Sequence, residues 1–94
     1  MIRSFGSKET ASIWQGLAVR RFPRDVQPIA RRKLRMLNNS MRLQDLMVPS
    51  GNRLEQLKGD RKGQYSIRVN DRFRMCFLWK DGDCYEVEVV DYHS

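Results

Sequence analysis

LEQLKGDRKGQYSIRVNDRFRMCFLW, residues 54–79, is a basic turn followed by two strand patterns, and its reading decides the fold. Lys58, Gly59, Asp60, Arg61, Lys62 and Gly63 set three cations and two glycines in six residues, a composition for an exposed turn and not for a core. Tyr65, Ile67 and Val69 then alternate with Ser66, Arg68 and Asn70, and Phe73, Met75, Phe77 and Trp79 alternate with Arg74, Cys76 and Leu78. Such alternation predicts two strands, each with one apolar face.

A third segment, 85–90, continues the pattern with Tyr85, Val87 and Val89. All these apolar positions are odd-numbered, so one sheet face takes them if each hairpin loop preserves parity, as a three-residue loop does. Lys80, Asp81 and Gly82 fit such a loop, with Gly82 in the left-handed position. The even face then carries Arg68, Arg74, Glu86, Glu88 and Tyr92. In this register Arg74 stands between Arg68 and Glu88, and Cys76 stands across from Glu86.

Upstream, 2–5 is predicted as a short strand ending at Gly6, and Ser7 as the N-cap of a helix that carries Ile13, Trp14 and Leu17 and weakens at Gly16. A basic connector, 20–24, leads to Asp25, the expected cap of a second helix whose first turn tolerates Pro28. Val26, Ile29, Ala30, Leu34, Leu37 and Met41 fall near one helical face, with Arg31, Arg32 and Arg35 elsewhere. Asn38, Asn39 and Ser40 end this helix, 43–47 allows one more helical turn, and 49–52 reads as a loop. The predicted fold class is α+β: two N-terminal helices packed on one face of a small antiparallel β-sheet, whose other face is left open for binding.

The chain of 94 residues is expected to be a single domain, 1–94. A formal charge of +7 favours a polyanionic partner, either nucleic acid or an acidic protein. Two cysteines at diagonal positions of the predicted register lie about 7–8 Å apart, too far for a bridge, so free thiols and a reducing compartment are expected. One histidine and two separated cysteines supply no zinc spacing, and no metal or other cofactor is expected. No signal peptide and no membrane-length apolar run is evident, which predicts a cytoplasmic protein without membrane contact.

No P-loop, dinucleotide fingerprint or nucleophile elbow is present. What remains is a group of cations and hydrogen-bonding side chains: Lys58, Arg68, Arg74, Tyr92 and His93. Such a set suits metal-free RNA cleavage, because the substrate brings its own nucleophile in the 2′-hydroxyl. The protein must then move protons and stabilise charge on phosphorus, and an arginine holds phosphate in a bidentate fork. The plainer reading is an Arg74–Glu88 cross-strand ion pair on a solvated face. Composition and parity leave a nuclease and a polyanion-binding domain both open.

The run Leu57-Lys58-Gly59-Asp60-Arg61, then Gly63, Tyr65-Ser66-Ile67, Arg72-Phe73-Arg74, Phe77, Asp81-Gly82-Asp83 and Asp91-Tyr92-His93 resembles the HigB branch of the RelE-like toxins, as does the opening Met1 to Phe5. The resemblance spans nearly the whole chain. It implies a RelE-like fold and the toxin of a type II toxin–antitoxin pair, an endoribonuclease that enters the ribosomal A site and cleaves mRNA. Carried over by position, Lys58 stabilises charge or aids proton transfer, Arg74 holds the scissile phosphate, and Asp91, Tyr92 and His93 serve proton transfer and substrate positioning. Arg61, Lys62, Arg68 and Arg72 are expected to bind the RNA. Several relatives carry a His three residues before the Lys, where this chain has Glu55, a candidate general base that also repels a phosphodiester. A milder nuclease leaning on His93 and Asp91 is the expectation.

The implied partners are the ribosome, mRNA and a cognate HigA-like helix-turn-helix antitoxin, with operator DNA reached only through that antitoxin. The rival readings are a non-catalytic basic module that binds nucleic acid or the ribosome, and an operon co-repressor acting with the antitoxin.

Overall fold

The computed structural model describes residues 1–92, so the expectations placed on His93 lie outside the described residues. The elements are α1 (Lys8–Trp14), α2 (Val26–Asn39), β1 (Glu55–Gln56), β2 (Tyr65–Arg68), β3 (Phe73–Lys80) and β4 (Asp83–Asp91), with short 3-10 turns between α2 and β2. The strands form one antiparallel sheet in the order β1-β2-β3-β4. The two-residue β1 is an addition to the predicted meander. Among the described residues no helix is long and apolar enough to cross a membrane.

Ser7 caps α1 as expected: its backbone is extended and its hydroxyl accepts the Thr10 N–H at 3.1 Å. Asp25 does not cap α2; it is already in the helical conformation and makes no capping bond. The Gln27 amide holds the helix entrance instead, accepting from the Val19 N–H at 3.0 Å and donating to the Val19 and Phe22 carbonyls. Val26, Ala30, Leu34 and Leu37 are buried against Ile67, Val69, Phe73, Met75 and Phe77 of the sheet. Each of the larger side chains among them, Val26, Leu34 and Leu37 included, contributes about 1.5–3 kcal/mol of burial. Met41, expected on the same stripe, is 81% exposed, because Ser40 turns the backbone extended and breaks the helical period.

The β3–β4 hairpin departs from the predicted register in two steps. Its loop has two residues, Asp81 and Gly82, both at positive φ, so Lys80 pairs with Asp83. This is the geometry a right-twisted hairpin favours, and it moves the register by one residue. A bulge then follows, with Glu86 at φ 52°, and moves it by one more. Between turn and bulge the parity is reversed: Cys84 is buried opposite Trp79, and Tyr85, expected in the core, pairs with Leu78 on the open face. Beyond the bulge the predicted faces return with different partners. Cys76 pairs with Glu88 instead of Glu86, and Arg74 with Val90 instead of Glu88. Both cysteines are free, as expected, but the reason differs: Cys84 sits in the core and Cys76 on the other side of the sheet.

The predicted first strand is reduced to two parallel bridges, Ile2 with Cys84 and Phe5 with Val87, along the outer edge of β4. Asp83 pins this segment through Arg3 at 3.1 Å and the Met1 amino group at 3.3 Å. Burial pulls the Asp83 carboxyl upward, but the hydrogen bonds from Arg3 and the amino group outweigh it and hold it below its ordinary value. Its folded value is therefore below the unfolded one, so its stabilisation is present above about pH 4 and fades as pH falls through the folded value. Thermal melts of wild type and Asp83→Asn from about pH 6 down to pH 2 are expected to converge. A constant gap across that range is the contrary result.

Candidate active site

On the open face, four residues lie in one row across all four strands: Glu55 pairs with Ser66, Ser66 with Cys76, and Cys76 with Glu88. At the strand spacing the row spans about 14 Å. Ser66 and Cys76 at its centre are fully buried, and the carboxylates stand at its two ends. An arginine faces each carboxylate. Arg74 approaches Glu55 to 4.0 Å, and Arg61 reaches over the sheet from the basic turn to Glu88 at 3.3 Å.

Arg74 is the most constrained cation of the group, with its side chain only 13% exposed. Its Nε donates to the Ser66 hydroxyl at 2.8 Å, and its Nη2 to the Arg53 carbonyl at 2.6 Å and the Ser66 carbonyl at 3.2 Å. Arg68, its cross-strand neighbour, turns away to Asp71. Arg61 is held by Gln64 as well as Glu88, so of the predicted RNA-binding cations it is the one that joins the row.

The Tyr92 hydroxyl meets the Cys76 sulfur at 3.6 Å. Partial burial, then the Cys76 hydrogen bond and charge, push the phenol up to about 12, while Arg61 and Arg74 pull the other way. Tyr92 is therefore a neutral proton donor near pH 7. Burial also raises the Cys76 thiol, against smaller downward pulls from Tyr92, Arg61 and Arg74, and burial pushes Cys84 up to about 12. Neither thiol is expected to react with an aromatic disulfide reagent at about pH 8 in the folded protein, since the thiolate is the nucleophile. Both should react in urea, and Tyr92→Ala should expose Cys76 alone. Rapid native labelling of wild type contradicts this packing.

Lys58 is exposed, in a 450 Å³ recess with Gln56 of β1, Leu57, Gly59 and Lys62. Asp91 is not brought to Arg74. It pairs with Phe73, so alternation gives it the opposite phase, and its carboxylate accepts from Arg72 Nε at 3.0 Å and Nη2 at 2.8 Å. Arg72 itself lies over the Phe73 ring, 5.1 Å from its centroid. Ser66, the Arg53 carbonyl, Cys76 and Glu88 are members of the site that sequence reasoning did not select. The even-numbered strand positions of Ser66, Cys76 and Glu88 were visible, but nothing in the sequence marked the serine or the cysteine, and Arg53 lies outside the strands.

A larger cleft of 630 Å³ lies at the hairpin end, lined by Ser4, Leu78, Trp79, Lys80, Tyr85 and Glu86. It holds one cation and no anchored arginine, so phosphate chemistry is better served by the row. Among the described residues, no three His, Cys, Asp or Glu side chains group as a metal site.

A family model described as the RelE-like toxin of the type II toxin–antitoxin system HigB matches residues 4–93. Toxin HigB-1 of Vibrio cholerae is 43% identical over 63 residues, covering 67% of this chain and 66% of that protein. Endoribonuclease HigB of Proteus vulgaris is 44% identical over 41 residues, covering 44% of this chain and 45% of that protein. The aligned part is thus just under two thirds of the first relative and under half of the second. Among solved structures, a YafQ mutant from E. coli aligns with a TM-score of 0.68 at 14% identity, over 98% of this chain and 92% of that one. The YoeB–YefM complex from Staphylococcus aureus contributes a chain with a TM-score of 0.62 at 15% identity, over 100% and 99%. At those identities the likeness is one of fold.

Proposed function

The chain belongs to the HigB-like family, RelE-like toxins of type II toxin–antitoxin systems, and from that premise we propose that it is an endoribonuclease that cuts mRNA in the ribosomal A site without a metal ion. The observation that carries the reading is Arg74, a guanidinium locked by three hydrogen bonds on an open sheet face beside a neutral tyrosine hydroxyl.

The 2′-oxygen attacks phosphorus and the bond to the 5′-oxygen breaks, leaving a 2′,3′-cyclic phosphate and a 5′-hydroxyl. One proton leaves the 2′-hydroxyl and one reaches the departing oxygen. Arg74 takes the non-bridging oxygens, where negative charge builds, and Lys58 adds charge from the basic turn. Tyr92 holds its proton at neutral pH and serves as the donor. Glu55 accepts the 2′-proton, and because a carboxylate is a weaker base than imidazole, a slower enzyme than relatives with histidine there is expected. His93 completes the proton transfer, and Asp91, in the opposite phase from Arg74, serves positioning by holding Arg72. Arg61, Lys62, Arg68 and Arg72 bind the RNA backbone. The protein partner is a cognate helix-turn-helix antitoxin, and through it the operator.

A second reading, polyanion binding without cleavage, draws on the two carboxylates that partly neutralise Arg74 and Arg61. One experiment separates the two. Purified protein is incubated with programmed ribosomes, with free mRNA, and with EDTA added to each. Cleavage only on ribosomes, indifferent to EDTA, with 5′-hydroxyl ends, is the expected result. Binding without cleavage in every arm leaves the second reading.

A further inference from the structure

An arginine presents five N–H groups in a fixed plane, and the groups already used decide which remain for a substrate. In Arg74 the edge formed by Nε and Nη2 is taken. Ser66 grips it twice, with its hydroxyl on Nε and its carbonyl on Nη2, and the Arg53 carbonyl takes the remaining Nη2 position at 2.6 Å. Nη1 has no partner among the described residues.

Two features mark this grip as built. The Ser66 hydroxyl belongs to a fully buried residue whose side chain needs a partner, and it finds it in a cation. Arg53 delivers its carbonyl from a left-handed backbone, φ 46° and ψ 58°, which residues other than glycine adopt seldom. A plain cross-strand arginine needs neither.

We propose that Ser66, together with the Arg53 carbonyl, is a positioning device that turns Arg74 end-on, so that its Nη1 group alone meets the scissile phosphate. This rests on the reading that Arg74 holds that phosphate. It corrects the expected bidentate fork, because the fork edge is consumed inside the protein. The two Nη1 hydrogens reach one or two non-bridging oxygens, and the guanidinium needs no reorientation as charge develops. Lysine cannot replace it: an ammonium drawn back to the two carbonyls no longer reaches the substrate.

The test uses the full chain with Ser66→Ala, Ser66→Thr, Arg74→Lys and Arg74→Ala, assayed for cleavage on ribosomes and for the NMR signal of the Arg74 Nε–H. Ser66→Ala is expected to lower kcat about 10- to 100-fold with KM nearly unchanged, the scale of a misplaced reacting group. It should also abolish the slow exchange of the Nε–H. Ser66→Thr keeps the hydroxyl and should restore both. Arg74→Lys should fall with Arg74→Ala. The Nε–H signal does not depend on activity, so it judges the grip even if Ser66→Thr folds poorly. If Arg74→Ala is inactive while Ser66→Ala keeps wild-type kcat, or if Ser66→Ala leaves the Nε–H unchanged, the positioning role is overturned and the phosphate role of Arg74 stands. If Arg74→Ala cleaves like wild type, both fall.

Discussion

Arg74→Ala is expected to reduce the single-turnover rate of mRNA cleavage about 10²- to 10³-fold, the usual loss when one oriented donor to a developing oxyanion is removed. The size follows from the setting of the side chain. A solvated surface arginine pays for its own ordering when it binds phosphate, but this one is 13% exposed and already held by Ser66 and Arg53. Folding should survive, because the Arg53 carbonyl left behind is open to water, the Ser66 carbonyl lies within the sheet, and the space vacated by the side chain admits water to the Ser66 hydroxyl. The salt dependence of RNA affinity distinguishes the roles. A contact used only for binding loses about one unit of the salt slope and leaves no activity to lose. A folded Arg74→Ala protein that cleaves at the wild-type rate removes Arg74 from the mechanism.

The largest effect on stability is expected from Asn52→Ala, about 2–4 kcal/mol by urea denaturation. Asn52 is fully buried, and its amide nitrogen donates to the Leu46 carbonyl at 3.1 Å and the Val48 carbonyl at 3.5 Å. Its oxygen accepts from Lys33 Nζ at 2.5 Å. Burial, then the charges of Arg32 and Arg68, lower the Lys33 value, but its ammonium is only part-buried and water can take the place of the lost acceptor. Alanine leaves the Leu46 carbonyl without its buried partner and opens a cavity beneath the connector. The consequence reaches the site, since Arg53 follows Asn52 directly and supplies the carbonyl on Arg74. Cleavage should therefore fall together with stability. A loss below about 1 kcal/mol shows that water replaces the amide.

The residues of Asn52's segment, 49–52, read as a plain loop, because proline, serine, glycine and asparagine are turn formers whatever they pack against. That an asparagine there is the buried tie between the connector and α2 depends on Leu46, Val48 and Lys33 arriving around it, and no local pattern encodes their meeting. The site divides in a similar way. Lys58 as an exposed turn residue, and Arg74 and Tyr92 on the open face, were legible from composition and parity. Asp91 was not, because its strand phase sets it with Phe73 and Arg72, away from Arg74.

The hairpin shows the limit most clearly. Lys80, Asp81 and Gly82 suit a three-residue loop as well as the two-residue turn that forms, and Glu86 carries no mark of the left-handed bulge it occupies. Two shifts of one residue restored the predicted faces but replaced every partner beyond the bulge, so Glu88 belongs to Cys76 and Arg61 instead of Arg74.

Periodicity alone determined that Ile67, Val69, Phe73, Met75 and Phe77 are buried under Val26, Ala30, Leu34 and Leu37, because which face a side chain takes is set by backbone geometry and the exclusion of water from apolar surface. Only the tertiary structure decided what Arg74 touches. That choice rests on register, on a left-handed residue at Arg53, and on hydrogen bonds to Ser66 whose geometry fails with a displacement of one residue.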